Sequence, residues 1–377
     1  MKLDLTEEQQ MLKKSARDLF EKEFPKTLVR QMEEDPSGYS PAVWKKMAEL
    51  GWIGLVIPEE YGGSGFAFMD LVVLLEEMGR ACLTGPFFST AVLSTLPILA
   101  AGSAELKKEF LPGIAKGEKF LSLALTEPSA TYEAAGISTK AVQDRGSYII
   151  NGTKLFIHDA HIADYLLCVA RTTVWSKPED GISILLVDAR SPGIKITPSP
   201  AIADDKQNEV IFENVVVPQR NLLGKLDKGW PVVKRLLDQA AVAKCAEMLG
   251  GADWVVEATT AYAKERVQYG RPIGSFGSIQ HALAEMWTEV TLARRLTYYA
   301  AWAIEQEIPC SMQVAMAKAA ANEAYKHSTR TAVQLHGAIG TTRDHDVGLY
   351  YRRARQAALL FGDTDFYRER VAQEVGL

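Results

Sequence analysis

The chain has 377 residues, of which 47% are hydrophobic and 24% are charged, and its formal net charge is -5. This length predicts two or three domains, and the charge gives no reason to expect nucleic acid or an anionic membrane as a partner. The cysteines lack Cys-x-x-Cys spacing, which argues against a zinc site and a disulfide framework. No signal segment and no apolar run of about 20 residues is present, so no membrane span is predicted and the cytoplasm is the expected location.

Helical signals dominate residues 1–117. Thr6 and Gln9 have the spacing of a capping box, and apolar residues follow at helical intervals. Trp44 begins a second apolar face, Gly62 begins a flexible loop, and Asp70 is predicted to cap the next helix. These patterns predict an N-terminal helical domain over residues 1–117.

Short runs of β-branched and aromatic residues replace the helical pattern between residues 118 and 225. Gly, Pro, Asn and Asp separate these runs, which are Phe120 to Thr126, Ser147 to Ile157, Tyr165 to Ala170, Ile182 to Val187 and Val210 to Val217. The dipeptide Asn151-Gly152 is a favoured hairpin turn and predicts a turn within the second run. The expectation is a small antiparallel β domain.

Three long Ala-rich segments with helical periodicity begin at Trp230. Breaks are predicted at Gly270-Arg271-Pro272, at Pro309 and around Gly337 to Gly340. Helices of about 25 residues suit a long-helix bundle. The sequence therefore predicts an α+β protein whose domains span residues 1–117, 118–225 and 226–377.

Two segments resemble the flavin-binding signatures of the acyl-CoA dehydrogenase family. One is Arg266 to Gln280, between two helical segments, and the other is Leu123 to Ser129 in the β region. The resemblance continues in Gln334 to Gly337 and in Arg352 to Ala354. It implies the family's fold, with a helical domain, a middle β domain and a C-terminal helical bundle. It also implies the family's activity, in which FAD-dependent oxidation of an acyl-CoA gives a 2-enoyl-CoA and electrons pass to an electron-transfer flavoprotein.

The resemblance assigns residues of the β region to the flavin ring. Leu125 and Thr126 would contact its pyrimidine edge, and Phe156 would stand beside it. His158 replaces the family's threonine, and it would either form a hydrogen bond near the reactive nitrogen or fill space. No Gly-x-Gly-x-x-Gly motif follows a predicted strand, so a Rossmann site is not supported.

Residues of the C-terminal segments are assigned to the rest of FAD. By the resemblance, Arg266 would bind the pyrophosphate of the FAD held by a neighbouring subunit, since a guanidinium bonds two oxygens at once. Phe276 fits the same pattern, and Gln334 and Gly337 would lie at the adenine end. Two positions depart from the family pattern, and they are Gly277 and Ala338.

The expected substrate contacts are less typical of the family. Tyr132 lies where the family has a loop facing the CoA arm, and Asp238 matches an acidic position common in relatives. Phe361 occupies the position of the catalytic glutamate, although its main-chain N–H could still bond the thioester oxygen. Dehydrogenation needs a carboxylate that takes the α-proton. Three possibilities stay open: Asp363 is the base, Asp238 or another acid is the base, or this chain supplies none.

The segment Phe361-Gly362-Asp363 resembles a branch of the family found in small subunits of dicarboxylyl-, steroid-side-chain- and ring-acyl-CoA dehydrogenases, such as pimeloyl-CoA dehydrogenase small-subunit-like proteins. Some of these pair with a homologous chain, so either a homo-oligomer or a hetero-oligomer is expected. Two other functions stay open, a largely structural or flavin-site-completing subunit and a flavin monooxygenase. No metal site is expected, because His336 and His345 with their acidic neighbours are interpreted as solvated polar residues.

Overall fold

The computed structural model describes residues 4–173 and 177–377. The chain forms two compact units, and neither is one continuous stretch. One unit comprises Met1–Arg30, Ala67–Leu83 and Ala241–Leu377, and the other comprises Gln31–Phe66 and Thr84–Ala240. In the part of the chain that the structure describes, no helix is both long enough and apolar enough to cross a bilayer.

The N-terminal region is helical, as its residue spacing predicts. Its helices are α1 (Glu7–Glu23), α2 (Lys26–Glu34), α3 (Pro41–Glu49), α4 (Phe68–Ala81), α5 (Thr95–Ala101) and α6 (Ala104–Ala115). The capping box of α1 is confirmed, because the Thr6 hydroxyl accepts from the Gln9 amide and Gln9 Oε1 accepts from the Thr6 amide. Helix α4 begins before Asp70, and the Asp70 carboxylate accepts the N–H of Ala67 from within the first turn.

The middle region forms one mixed β-sheet. Its strands are β1 (Leu121–Ala124), β2 (Lys140–Asp144), β3 (Ser147–His158), β4 (Tyr165–Arg171), β5 (Ile182–Asp188), β6 (Ile194–Ser199), β7 (Gln207–Pro218) and β8 (Leu222–Leu223). They follow the order β6-β7-β3-β2-β4-β5-β8, and β1 pairs with β4. Alternate residues along β3 and β7 face the buried core, among them Tyr148, Ile150, Val210 and Phe212.

The predicted hairpin turn at Asn151-Gly152 is wrong. Strand β3 continues through both residues, and its pairing with β7 shifts in register between Ile150 and Gly152. A Cβ on Gly152 would lie 2.5 Å from Thr139 Oγ1, so the glycine serves close packing at a bulge instead of a turn. The hairpin turn lies earlier, at Arg145 and Gly146, where φ is 44° and 83°.

The predicted antiparallel β domain is confirmed for most strand pairs, but two pairs depart from it. Strand β1 runs parallel to β4, and β2 meets β4 in parallel at Lys140 and Arg171. The other strand pairs of the sheet are antiparallel. Parallel pairing needs a crossover connection, and the long segment between β1 and β4 includes the β2–β3 hairpin. The alternation of residue types predicts strands but does not set the direction in which distant strands pair.

The C-terminal region is a set of long helices, as predicted. Its elements are α7 (Trp230–Glu265), β9 (Val267–Gln268), β10 (Arg271–Pro272), α8 (Gly277–Glu305), α9 (Ser311–His336), α10 (Asp346–Ala357) and α11 (Thr364–Glu374). The predicted breaks at Gly270-Arg271-Pro272, at Pro309 and around Gly337 to Gly340 are confirmed. Strands β9 and β10 form a two-stranded hairpin between α7 and α8.

Helix α4 packs tightly against the C-terminal helices of its own unit. A Cβ on Gly250 of α7 would lie 1.7 Å from the Glu76 carbonyl oxygen, so glycine allows the two backbones to approach. The buried Glu76 carboxylate accepts hydrogen bonds from Lys13 of α1 at 2.7 Å and from Arg294 and Tyr298 of α8 at 3.2 and 2.6 Å. Opposite charges around a buried carboxylate offset the loss of its hydration.

Candidate active site

Leu125 and Thr126 lie at the carboxyl end of β1, in the unit that contains the sheet. Both are buried, and the Thr126 carbonyl accepts the N–H of Leu155 at 2.9 Å, which fixes the main chain against β3. The Thr126 hydroxyl forms no hydrogen bond within the described residues. A hydroxyl that has no partner within its own chain can bond a ligand.

A buried ion pair that the sequence analysis did not identify holds this strand end. Lys154 Nζ donates to the Leu125 carbonyl at 2.9 Å, to Glu127 Oε1 at 2.7 Å and to the Val169 carbonyl at 2.6 Å. Burial by itself raises the pKa of Glu127, but the ammonium of Lys154 and hydrogen bonds from Ser138 and Thr139 hold that pKa below its usual value. The sequence motif Leu-Thr-Glu-Pro contains Glu127 but gives no sign of its partner, because Lys154 lies on another strand.

Phe156 and His158 lie at the end of β3, where the pairing with β7 is irregular. Phe156 has a positive φ of 60°, and its side chain is partly exposed. His158 Nδ1 lies 3.4 Å from Asp205 Oδ2. His158 Nε2 is buried and has no hydrogen-bond partner within the described residues, so it is available to bond a ligand atom.

The two predicted substrate residues of this unit lie in separate segments. Tyr132 is half-buried in the loop after β1, and Asp238 is half-buried in the N-terminal part of α7. Ser129 of the same loop donates to the Gly136 carbonyl at 3.3 Å, which closes the loop on itself. The structure therefore brings Leu125, Thr126, Phe156 and His158 together around the β1 and β3 ends, and it leaves Tyr132 and Asp238 on flanking elements.

Arg266 follows the last residue of α7 and is exposed in the other unit. Its carbonyl accepts the N–H of Ile273, which closes the β9–β10 hairpin. The Arg266 guanidinium has no hydrogen bond or ion pair with the described residues. Phe276, just before α8, is half-buried beneath the Arg271 guanidinium, which lies 4.2 Å from the ring centroid.

Gln334 and Gly337 lie at the C-terminal end of α9, and Tyr262 brings this end close to Arg266. The Tyr262 ring stacks on His336 at 4.3 Å, and its hydroxyl donates to the His336 carbonyl at 3.4 Å. Tyr262 precedes Arg266 by one helical turn, a spacing that the sequence analysis passed over. Burial lowers the pKa of His336. Within the described residues, no group of acidic, histidine or cysteine side chains could hold a metal.

Phe361, Gly362 and Asp363 form a tight turn between α10 and α11. Phe361 has a φ of 60° and Gly362 a φ of 111°, and the Phe361 carbonyl accepts the Tyr367 hydroxyl at 2.7 Å. A Cβ on Gly362 would lie 2.7 Å from atoms of Phe366 and Tyr367, so both backbone and space require glycine. Asp363 is exposed and is the N-cap of α11, with Oδ1 accepting the Phe366 amide at 2.8 Å.

Models of all three acyl-CoA dehydrogenase domains match the chain in order. The N-terminal domain matches residues 6–118, the middle domain residues 122–215 and the C-terminal domain residues 227–376. The chain belongs to the acyl-CoA dehydrogenase family. The family accounts for the order of helical, β and helical regions described above.

Relatives match over nearly the whole chain. It is 36% identical to the probable acyl-CoA dehydrogenase YngJ of Bacillus subtilis (strain 168), over 100% of both proteins. It is 33% identical to the caffeyl-CoA reductase-Etf complex subunit CarC of Acetobacterium woodii, over 93% of both. Butyryl-CoA dehydrogenase from Megasphaera elsdenii matches the fold with a TM-score of 0.92 at 29% identity, over 100% of both chains. The chain is therefore an oxidoreductase acting on acyl-CoA, and these relatives favour neither the structural-subunit nor the monooxygenase alternative.

The residues present fit FAD, the cofactor that members of this family of flavoproteins generally bind. The exposed Arg266 offers an uncompensated cation for a pyrophosphate. His158 Nε2 is buried and lacks a partner within the described chain, and Thr126 is a buried residue whose hydroxyl has no hydrogen bond within the described residues; hydrogen-bonding atoms at the edge of a flavin ring would pair with both. The available groups therefore suit the polar edge of the flavin ring and the negative charge of the pyrophosphate.

Proposed function

We propose that this chain, with FAD bound, oxidises an acyl-CoA thioester to the 2-enoyl-CoA and passes the electrons to an electron-transfer flavoprotein. Leu125, Thr126, Phe156 and His158 are the proposed ring contacts, and Arg266, Phe276, Gln334 and Gly337 the proposed contacts to the rest of FAD. The observation that carries the proposal is that the two family signatures fall on polar groups without internal partners, the Thr126 hydroxyl and the Arg266 guanidinium.

The oxidation removes a proton from the α-carbon and a hydride from the β-carbon of the acyl group. When bound, FAD supplies the acceptor for that hydride. Asp363 is the proposed acceptor of the α-proton, because Oδ1 caps α11 while Oδ2 forms no hydrogen bond within the described residues. The main-chain N–H of Phe361 is the proposed donor to the thioester oxygen, on which negative charge develops as the proton leaves.

Asp363→Asn tests the assignment of the base. Asparagine is as good an N-cap as aspartate, so α11 stays capped while the side chain can no longer take a proton. Reduction of the bound flavin by an acyl-CoA, followed anaerobically by loss of flavin absorbance, should slow by about 10²–10⁴-fold. The matched control is Asp365→Asn, an exposed neighbour in the first turn of α11, which should keep the wild-type rate.

Other outcomes of this experiment separate the alternatives. An unchanged rate in Asp363→Asn would exclude Asp363 as the base, and Asp238→Asn would then test the half-buried acid of α7. If no thioester bleaches a fully FAD-loaded wild-type protein, and no 2-enoyl-CoA reoxidises its reduced flavin, the proposal of acyl-CoA oxidation is wrong. Reoxidation of the reduced flavin by a 2-enoyl-CoA is the reverse of the proposed reaction, and one relative is named as a reductase.

The acyl group is proposed to be of the kind used by the Phe-Gly-Asp branch, namely dicarboxylyl, ring or steroid-side-chain thioesters. This proposal is supported by Phe361-Gly362-Asp363, which replaces the usual glutamate, and by Tyr132 in the loop that would face the CoA arm. A panel of such thioesters and of linear acyl-CoAs, scored by flavin bleaching, tests it. Preference for short linear chains would overturn the branch assignment and leave the reaction type unchanged.

A further inference from the structure

A buried lysine lies directly beneath the turn formed by Phe361, Gly362 and Asp363. Lys318, on α9, is fully buried. Its Nζ donates to Asn322 Oδ1 at 2.6 Å, to the Ala357 carbonyl at 3.3 Å and to the Gly362 carbonyl at 3.2 Å. Two of these three acceptors are main-chain atoms at the end of α10 and in the turn itself.

We propose that Lys318 is a positioning residue whose ammonium group holds the Phe361-Gly362-Asp363 turn in place, so that the turn loosens and turnover falls when Lys318 loses its proton. The effect on turnover rests on the proposed function, whereas the effect on the turn does not. Lys318 acts through the turn, whose residues Phe361 and Asp363 are the proposed substrate contacts.

The number of donors gives the chemical reason. An ammonium has three N–H donors and no acceptor, and the structure presents three oxygens to it. A neutral amine keeps only two N–H donors and gains a lone pair, which would face one of the oxygens. The two main-chain contacts are the long ones, so the turn or the end of α10 is the partner expected to be released.

The burial of Lys318 places its proton loss in an accessible pH range. Burial lowers the pKa of Lys318 to about 8 from the ordinary 10.5. The groups that act on it are Cys245 and Lys244 of α7, Lys326 of α9 and Asp363 at the start of α11. Burial also raises the pKa of Cys245 to about 12, so this thiol stays neutral and does not pair with the lysine.

Deprotonation of Lys318 should raise the free energy of unfolding of the whole chain even though it loosens the turn. Because the pKa of Lys318 is lower in the folded state, the unfolded chain binds more protons between about pH 8 and pH 10.5. The contribution of Lys318 to the free energy of unfolding therefore rises with pH across this window, while the turn loosens. If Lys318 affected only overall stability, protection of the turn would not fall while the free energy of unfolding rises.

Hydrogen–deuterium exchange of the ligand-free protein tests the effect on the turn, with rates corrected for the intrinsic pH dependence. Protection of peptides covering residues 357–366 should fall about tenfold between about pH 7 and pH 9.5, since a group with a pKa near 8 is then mostly deprotonated. A peptide from the middle of α8 is the internal reference. Lys318→Met should remove the protection at every pH, and Lys234→Met, at an exposed position of α7, should leave the wild-type profile unchanged.

Asn322→Asp is the decisive variant if Lys318→Met fails to fold. Asn322 Nδ2 has no hydrogen-bond partner within the described residues, so the exchange loses no bond and adds a carboxylate beside Nζ. The loss of protection should move to higher pH by about one unit or more. The alkaline limb of flavin reduction by acyl-CoA should move with it.

Two results would overturn the role of Lys318. One is wild-type protection of the turn that stays constant from about pH 7 to pH 9.5, and the other is an Asn322→Asp profile identical to that of the wild type. If the exchange results are as expected but no thioester reduces the flavin, the proposed function is wrong and the coupling between Lys318 and the turn stands.

Discussion

Lys154 illustrates how one buried residue can hold in place a proposed binding site without belonging to it. Its ammonium joins the main chain of β1 and β4 and the Glu127 carboxylate, and each partner is within 2.9 Å. The Thr126 main chain is thereby held between the Leu125 carbonyl and the Glu127 side chain. The position of the proposed flavin contact thus depends on a charge whose hydration is replaced by three acceptors.

Replacing Lys154 with methionine should destabilise the fold strongly. The apolar chain fits the space, but the Glu127 carboxylate stays buried without its cation, which costs about 3–5 kcal/mol. The measurement is urea unfolding of Lys154→Met against Lys195→Met, a control on the exposed side of β6 that should change stability by no more than about 0.5 kcal/mol. Equal midpoints for the two variants would show that the pair does not hold the strand end.

The sequence suggests candidate site residues that carry distinctive chemistry, but it does not suggest the residues that support them. Arg266 and Thr126 are candidates because they stand in motifs with characteristic neighbours. No motif surrounds the supporting residues, because each contacts a partner that is distant along the chain. Lys154 contacts Glu127, Tyr262 contacts His336, and Lys318 contacts Gly362. Their roles depend on tertiary contacts, on which a single sequence gives no direct information.

At the scale of elements, the β2–β3 hairpin shows where local signals fail. The dipeptide preference predicts a turn at Asn151-Gly152. The fold places the turn at Arg145-Gly146 instead, because β3 must run on to His158 to pair with β7. Long-range pairing therefore outweighs a turn preference, whereas the helix boundaries at Thr6, Pro309 and Gly337 follow local chemistry and are predicted correctly.

Gly146→Ala should isolate the strain of this turn. No atom lies within 4 Å of a Cβ built at Gly146, so the cost comes from its φ of +83° alone and should be about 1–2 kcal/mol. Gly277→Ala is the matched control, since that position also has open space but begins α8, where alanine should stabilise by up to about 1 kcal/mol. Urea unfolding measures both, and a neutral Gly146→Ala would mean that the turn relaxes to another form.

For the whole molecule, binding of FAD is proposed to depend on a neighbouring subunit. The Arg266 guanidinium is exposed and has no partner within the described chain, and next to it Tyr269 is 94% exposed at the tip of the β9–β10 hairpin. An exposed cation beside an exposed aromatic ring suits a contact with another chain that carries a bound phosphate.

Arg266→Gln should therefore weaken FAD binding without unfolding the chain. Hydrogen bonds to a charged group contribute about 1.5–3 kcal/mol, which corresponds to a loss of FAD affinity of roughly 10–150-fold. The ratio of flavin to protein absorbance after gel filtration measures the loss, and Arg145→Gln, in the exposed β2–β3 turn, is the control. Retention of the wild-type flavin content by Arg266→Gln would exclude this contact.

One compact unit is discontinuous in sequence, which has a consequence for folding during synthesis on the ribosome. It combines Met1–Arg30, Ala67–Leu83 and Ala241–Leu377. Helix α4, buried along most of its length, emerges well before the segments of α7 and α8 that cover it. At about 5–20 residues per second, the delay is on the order of ten seconds or more. Throughout that interval only α1 is available to cover α4, and the apolar face that later packs on α7 and α8 stays exposed. Chaperone binding is therefore expected there, and translation stalled before α7 should yield aggregates.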